Sequence, residues 1–255
     1  MGLFLFFVVG LVVGSFLNVV VRRGARAESL GGRSRCESCS KVLGAGELLP
    51  VISFLLQKGR CRHCGAALSW QYPAVELGTG FTFAALAWYL LPDVLNPKAL
   101  ILFGAVLIGT AAVIVILVSD INYRLIPDGA VLILFLLGMW RLWITSPNLL
   151  RDGVWALLIA LFFAALWFAS SGSWMGLGDA KLILGTSLLL GFPASPIAFL
   201  FSFWLGGIVG IFLLATRLTA FKDKIPFGPF IILGALLSYL FSQQFLFITG
   251  LDYFL

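Results

Sequence analysis

The sequence predicts an all-α polytopic membrane protein of about eight transmembrane helices, with a cytosolic zinc-ribbon-like loop between the first two. Two observations carry that class. Of 255 residues, 61% are hydrophobic and only 11% are charged, against roughly 25% in a soluble domain, so the chain cannot cover a water-facing surface of ordinary size. The basic residues also cluster beside long apolar runs. That pattern orients helices in a lipid bilayer, and it gives the net charge of +6 a reason other than nucleic acid. A third observation narrows the chemistry. His63 is the only histidine, and the four cysteines share one polar loop. A Ser-His-Asp triad, a Cys-His pair or a His-based catalytic zinc site would each need His63. Acid–base work is left to carboxylates.

Gly2–Val21 carries no charge, is long enough to cross a hydrocarbon core of roughly 30 Å, and runs into Arg22-Arg23. A secretory signal peptide would carry its positive charge ahead of the apolar run, so a retained helix with its N-terminus outside is expected. Gly14-Ser15-Phe16-Leu17-Asn18 suits either close helix packing with a hydrogen-bonding amide or a direct functional role. Residues 22–72 follow as the one long polar segment. Within it, Cys36-Glu37-Ser38-Cys39 and Cys61-Arg62-His63-Cys64-Gly65 form two C-x2-C pairs. Each pair could give two thiolates to a tetrahedral zinc. Disulfides, a redox dithiol and free thiols compete with that reading, although a basic loop placed in the reducing cytosol disfavours disulfides. A closed four-cysteine site would be structural.

Pro73–Leu91 is the second span, with Glu76 just inside its start, where an acid suits a helix N-terminus and a catalytic role is secondary. After a link at Pro92-Asp93, Ala99–Val118 is uninterrupted and ends in Ser119-Asp120-Ile121-Asn122-Tyr123-Arg124-Leu125-Ile126-Pro127-Asp128. Asp120 closes that span, and Asp128 is expected to cap the next helix. Gly129–Ile144 and Gly153–Ser170 are the next two spans. Gly176-Leu177-Gly178-Asp179-Ala180-Lys181 then opens Ala180–Leu190, which is short for a crossing. A carboxylate starting such a helix implies a protein-lined or wet cavity below the headgroups. Ala194–Ala215, a basic link from Arg217 to Lys224, and a last span from Ile225-Pro226-Phe227-Gly228-Pro229-Phe230 to Thr249 complete the chain.

With the N-terminus outside, fourteen of the 17 Lys and Arg fall on the cytosolic side, and Lys98, Arg141 and Arg151 remain outside. Asp120 and Asp179 then share the cytosolic face. If they meet, they cannot both ionise cheaply, so one proton is shared. Such a pair can activate a water while polarising a scissile carbonyl. Gly176 and Gly178 would let an extended substrate backbone come close. The alternative is two unrelated boundary aspartates, hydrated or paired with Arg124 or Lys181. A transporter or scaffold using them for ions or protons would want acids nearer the midplane.

These motifs together resemble the bacterial type IV prepilin leader peptidases, bifunctional enzymes of the GxGD class of membrane aspartyl proteases. The resemblance runs over nearly the whole chain: Gly14–Asn18, the paired cysteines, Tyr72-Pro73-Ala74-Val75-Glu76, Asp120 to Asp128, Gly176–Lys181 and Ile225–Phe230. It implies that Asp120 and Asp179 are the catalytic pair; the second acid many relatives carry two residues later is Asn122 here. It further implies cleavage of prepilins and type II secretion pseudopilins on the cytosolic side of the bacterial inner membrane, after a glycine. N-methylation of the new terminus from S-adenosylmethionine would follow. Residues 1–98 would hold the methylation-associated region with Cys36, Cys39, Cys61 and Cys64 on zinc, and residues 99–255 the peptidase. No dinucleotide-type glycine fingerprint marks a donor site. A peptidase without methylation, like the archaeal preflagellin enzymes, would lack the cysteine loop.

Overall fold

The structure is a computed structural model describing residues 2–90, 96–218 and 225–249; the expected link at Pro92-Asp93 and the basic Lys222 and Lys224 lie outside the described residues. Each expected span is a helix. In chain order the helices are α1 Gly2–Ala25, the short α2 Ile52–Leu56, α3 Gln71–Leu90, α4 Pro97–Tyr123, α5 Asp128–Thr145, α6 Leu149–Ala169, α7 Leu177–Leu190, α8 Ala194–Ala215 and α9 Gly228–Thr249. Extended pairing among the described residues is limited to two isolated antiparallel bridges in the cysteine loop. By length and composition α1, α4, α6, α8 and α9 are long and apolar enough to cross a membrane. The protein is therefore an all-helical, multi-pass membrane protein. At 14 residues and 1.5 Å per residue, α7 reaches about 21 Å, short of the roughly 30 Å core.

The chain divides into two compact units, Met1–Val118 and Ser119–Leu255. In the first, α1 lies along α3. A Cβ on Gly10 would stand 2.7 Å from the Gly80 Cα, and one on Gly14 would stand 2.8 Å from the Glu76 Cα. Between helices in lipid, such close backbone approach supplies the attraction that a hydrophobic effect supplies in water. Asn18 Nδ2 donates to the carbonyls of Gly14 and Tyr72, at 3.3 and 3.2 Å. The Gly14–Asn18 motif thus serves helix packing.

The second unit is built around α7, which touches α5, α6, α8 and α9. Eight of its residues, from Asp179 to Leu188, are buried. Gly138 of α5 sits against Leu188, and Gly185 sits against Leu134. An element enclosed in this way need not span the bilayer, which accounts for its length. Its C-terminal end is pinned by Asp152, fully buried, which accepts from Arg141 Nη1 at 2.8 Å, Ser146 Oγ at 2.9 Å and the Phe192 amide at 3.2 Å.

Candidate active site and cysteine centre

Asp120 lies in the last turn of α4 and is 4% exposed. Its Oδ2 accepts the amide of Gly228 at 2.9 Å. The neighbouring Phe227 fixes where that amide stands. Its ring packs against Phe163 and Phe203, with centroids 6.0 and 5.6 Å away, and Gly206 leaves room for its edge. Gly228 itself admits no side chain, since a Cβ there would lie 2.7 Å from Asp120 Oδ2.

Asp179, 7% exposed, lies in the first turn of α7. Its Oδ2 accepts the amide of Gly176, the residue capping that helix, at 3.0 Å, so a carboxylate closes on an otherwise orphaned donor. Gly178 is packed on the α4–α5 turn, where a Cβ would meet Ile126 Cβ at 3.1 Å. The sequence suggests room for a substrate backbone there; the structure gives the glycine a packing task as well. Asp128 does not cap α5, because Pro127 occupies that position and Asp128 lies inside the first turn. Its Oδ1 instead takes Lys181 Nζ at 2.8 Å, joining the start of α5 to the start of α7, which carries Asp179.

The arrangement at the two carboxylates is parallel. Each has one oxygen on a glycine amide at the start of a helix, and among the described residues neither has a basic partner. Gly178 against Ile126 and Lys181 on Asp128 set the start of α7 beside the α4–α5 turn. Gly228 as a hydrogen-bond donor was missed; its only sequence signal is the Ile225–Phe230 motif.

In the first unit the four cysteine sulfurs lie within 4.8 Å of one another, with Cys36 and Cys64 Sγ 3.9 Å apart. Tetrahedral zinc with bonds near 2.3 Å would separate its sulfurs by about 3.8 Å, so the cluster fits such an ion. The two knuckles are built alike. The amides of Ser40 and Gly65 each return to the carbonyl of the first cysteine, Cys36 or Cys61, at 2.9 Å, and both residues take positive φ, 57° and 72°. The amides of Cys39 and Ser38 lower the Cys36 thiol to about 7. At Cys64 the Ala66 amide also lowers the thiol, but burial and the other thiols outweigh it, giving about 11. Four thiolates this close would need a cation.

Arg22 and Arg23, which the sequence offered as topology signals, dock this loop together with Glu37, Tyr72 and Glu76. Arg23, buried at the end of α1, donates to the carbonyls of Ser29, Leu30, Gly31, Gly32 and Arg33. The planar guanidinium offers five N–H donors in a fixed fork, against the three of an ammonium. Glu37 takes Tyr72 Oη at 2.6 Å, Arg22 at 2.8 Å and Arg26 at 3.2 Å. The Tyr72 hydroxyl, with Arg22 and Arg26, holds its carboxyl below the usual range. Glu76, 6% exposed, accepts the Val51 amide at 2.7 Å. Val51 has φ 62° and ψ −50°, and the Ile52 amide reaches Pro50 O at 2.6 Å. That is a γ-turn of the rare, strained hand, on a β-branched residue.

A helical membrane protein with a buried aspartate at each of two helix ends, and a loop of four clustered cysteines able to hold a metal, fits the class of membrane-embedded hydrolases. Two family profiles match the chain, the Bacterial Peptidase A24 N-terminal domain over residues 8–90 and the Type IV leader peptidase family over residues 107–211. The chain is 33% identical to the prepilin leader peptidase/N-methyltransferase of Bacillus subtilis, covering 93% of this chain and 94% of that one. The protein of that name from Burkholderia pseudomallei is 31% identical over 95% of this chain and 86% of its own. That from Stutzerimonas stutzeri is 30% identical, over 93% and 90%. No solved structure matches. The chain belongs to the type IV leader peptidase family.

Proposed function

We propose that the protein removes leader peptides from type IV prepilins and type II secretion pseudopilins, then N-methylates the new amino terminus. One observation carries the reading above the others. Two buried aspartates at converging helix ends each have one oxygen held by a glycine amide, in a chain whose relatives bear the name prepilin leader peptidase/N-methyltransferase. With one oxygen of each held, the second is left for water and substrate. The ionised aspartate takes a proton from the water as its oxygen attacks the scissile carbonyl. The neutral one hydrogen-bonds the carbonyl oxygen, and proton return to the departing nitrogen completes cleavage. Asp120 and Asp179 are the proposed pair, within a peptidase region of residues 99–255 that faces the cytosol from the bacterial inner membrane.

Methylation belongs, on this reading, to residues 1–98. Bound S-adenosylmethionine supplies an electrophilic methyl group: the terminal amine, once deprotonated, forms the N–C bond while the C–S electrons pass to sulfur. Cys36, Cys39, Cys61 and Cys64 would hold zinc as a closed, structural site, with no position open for catalysis.

Co-expression with a pilin and mass spectrometry of the pilin N-terminus tests both activities. The expected product is a shortened, singly methylated terminus. Asp120→Asn and Asp179→Asn should each abolish shortening while the protein remains in the membrane. Normal processing by either variant would remove the dyad, and an unmethylated mature terminus would leave a peptidase alone.

A further inference from the structure

The first unit contains a cavity of about 280 Å³, enclosed by the C-terminal half of α1, the start of α3, α2 and both cysteine knuckles. It is close to the lower end of the roughly 300–1,000 Å³ typical of small-ligand sites. Three glutamates line it, Glu37, Glu47 and Glu76. Their situations differ. Glu37 is engaged by Arg22, Arg26 and Tyr72, and Glu76 holds the strained turn at Val51. Glu47 takes the Gly44 amide on Oε2 at 2.9 Å, but its Oε1 is buried without any hydrogen bond, 3.6 Å from His63 Nε2. A buried carboxylate oxygen in a cavity wall that faces only His63, beyond hydrogen-bond distance, can take a further donor. Backbone strain such as that at Val51 also collects where ligands bind. Phe54, 6% exposed, adds an aromatic face to the same cavity.

We propose that this cavity binds the methyl donor S-adenosylmethionine, with Glu47 and Glu76 recognising its cationic ammonium and sulfonium groups. The proposal rests on the methyltransferase reading above and adds the place. The donor is a charged, water-soluble nucleoside, so its site has to be polar and reachable from water, and residues 22–72 form the one long polar segment of the sequence. The donor carries two positive groups and one carboxylate. The wall answers with three acids against the two arginines Arg22 and Arg35, an aromatic ring that suits an adenine or a sulfonium, and amides from Asn18 and Gln57. Cys36 and Cys61, the two buried cysteines, also line the cavity. The metal knuckle thereby becomes the frame of the donor site rather than a separate ornament.

The test uses the full-length protein in lipid nanodiscs. Ultraviolet crosslinking of radiolabelled S-adenosylmethionine followed by peptide mapping should put label on residues 15–22, 34–57 or 66–76, competed by S-adenosylhomocysteine. Calorimetric titration with S-adenosylhomocysteine should show Glu47→Gln weakening binding by at least about tenfold, the expected loss of a charged hydrogen bond. Glu47→Gln is nearly isosteric, and its fold is checked by metal content and thermal midpoint; Ser53→Trp, which fills the cavity, should remove binding. Label confined to residues 119–249, or unchanged affinity in both variants, overturns the placement while leaving methylation intact. Absence of any donor binding to the unaltered protein, together with an unmethylated pilin, overturns the underlying reading as well.

Discussion

Gly228 governs a carboxylate 108 positions away in the chain. Its amide holds Asp120 Oδ2, and a Cβ would stand 2.7 Å from that same oxygen, so Gly228→Ala must push the carboxylate aside. A displacement of about 1 Å at a catalytic group costs on the order of 10²-fold in rate. Cleavage of a prepilin by Gly228→Ala membranes should fall by that order, with helix content unchanged by circular dichroism. Gly176 is the control. A Cβ there lies 3.4 Å from Asp179 Oδ2, an ordinary contact, and its φ of −79° suits alanine. Gly176→Ala should therefore cleave within a few-fold of the unaltered protein by the same assay, and equal damage from the two alanines would separate Asp120 from the Gly228 contact. At this scale the sequence displayed the acids, because ionisable residues at the ends of apolar runs stand out. It did not display their donors. Both are backbone amides, and Gly228 becomes a partner of Asp120 only once α9 has packed with Phe227 among the rings of Phe163 and Phe203.

Helices were legible as apolar runs, and their seams were not. All eight expected spans are helical because a helix satisfies its own backbone hydrogen bonds where water is absent. Which glycines touch depends on helix rotation, which a nearly uniform apolar run does not encode, and Gly138 against Leu188 could not be foreseen. The same applies to Arg141 and Asp152, which the structure joins at 2.8 Å around a fully buried carboxylate. Removing one partner of a buried pair strands the other, at about 3–5 kcal/mol. Asp152→Ala should lower the stability of the second unit by that order in detergent denaturation, more than Asp128→Ala, whose pair with Lys181 is exposed. The cysteine loop is docked by a weaker, titratable contact. The Glu37 carboxyl is depressed below its ordinary value of about 4.3, first by the Tyr72 hydroxyl and then by Arg22 and Arg26. Its contribution is therefore complete above that value and is lost as pH falls below it toward the folded value. The side chain is 43% exposed, so solvent screening limits the effect to under about 1 kcal/mol. The difference in loop protection between the unaltered protein and Glu37→Gln, followed by limited proteolysis, should be small at pH 7 and shrink further below about pH 4.3.

Across the whole molecule, the two compact units rely on different physics for their order. The second is a helix cluster with α7 enclosed, where buried side chains and backbone ladders hold the fold. The polar loop of the first contains only one short helix, one 3-10 turn and two isolated bridges. Segments of that size bury too little apolar surface to fold alone and usually take a metal or a covalent staple. The four cysteines are not disulfide-bonded, so the cation joining their sulfurs is the proposed staple, and metal binding is then folding free energy for the loop. Incubating the protein with a strong zinc chelator should make residues 26–70 cleavable by trypsin, which has Arg33, Arg35, Lys41, Lys58, Arg60 and Arg62 available there. Fragments from residues 119–249 should keep their resistance, and zinc should be released at about one equivalent per chain, as a single closed four-thiolate site requires. Restored protection on adding zinc back would identify the ion as the staple. Unchanged trypsin resistance after verified metal removal would instead give that role to Arg23 and the Glu37 cluster, which already hold the loop against α1 and α3.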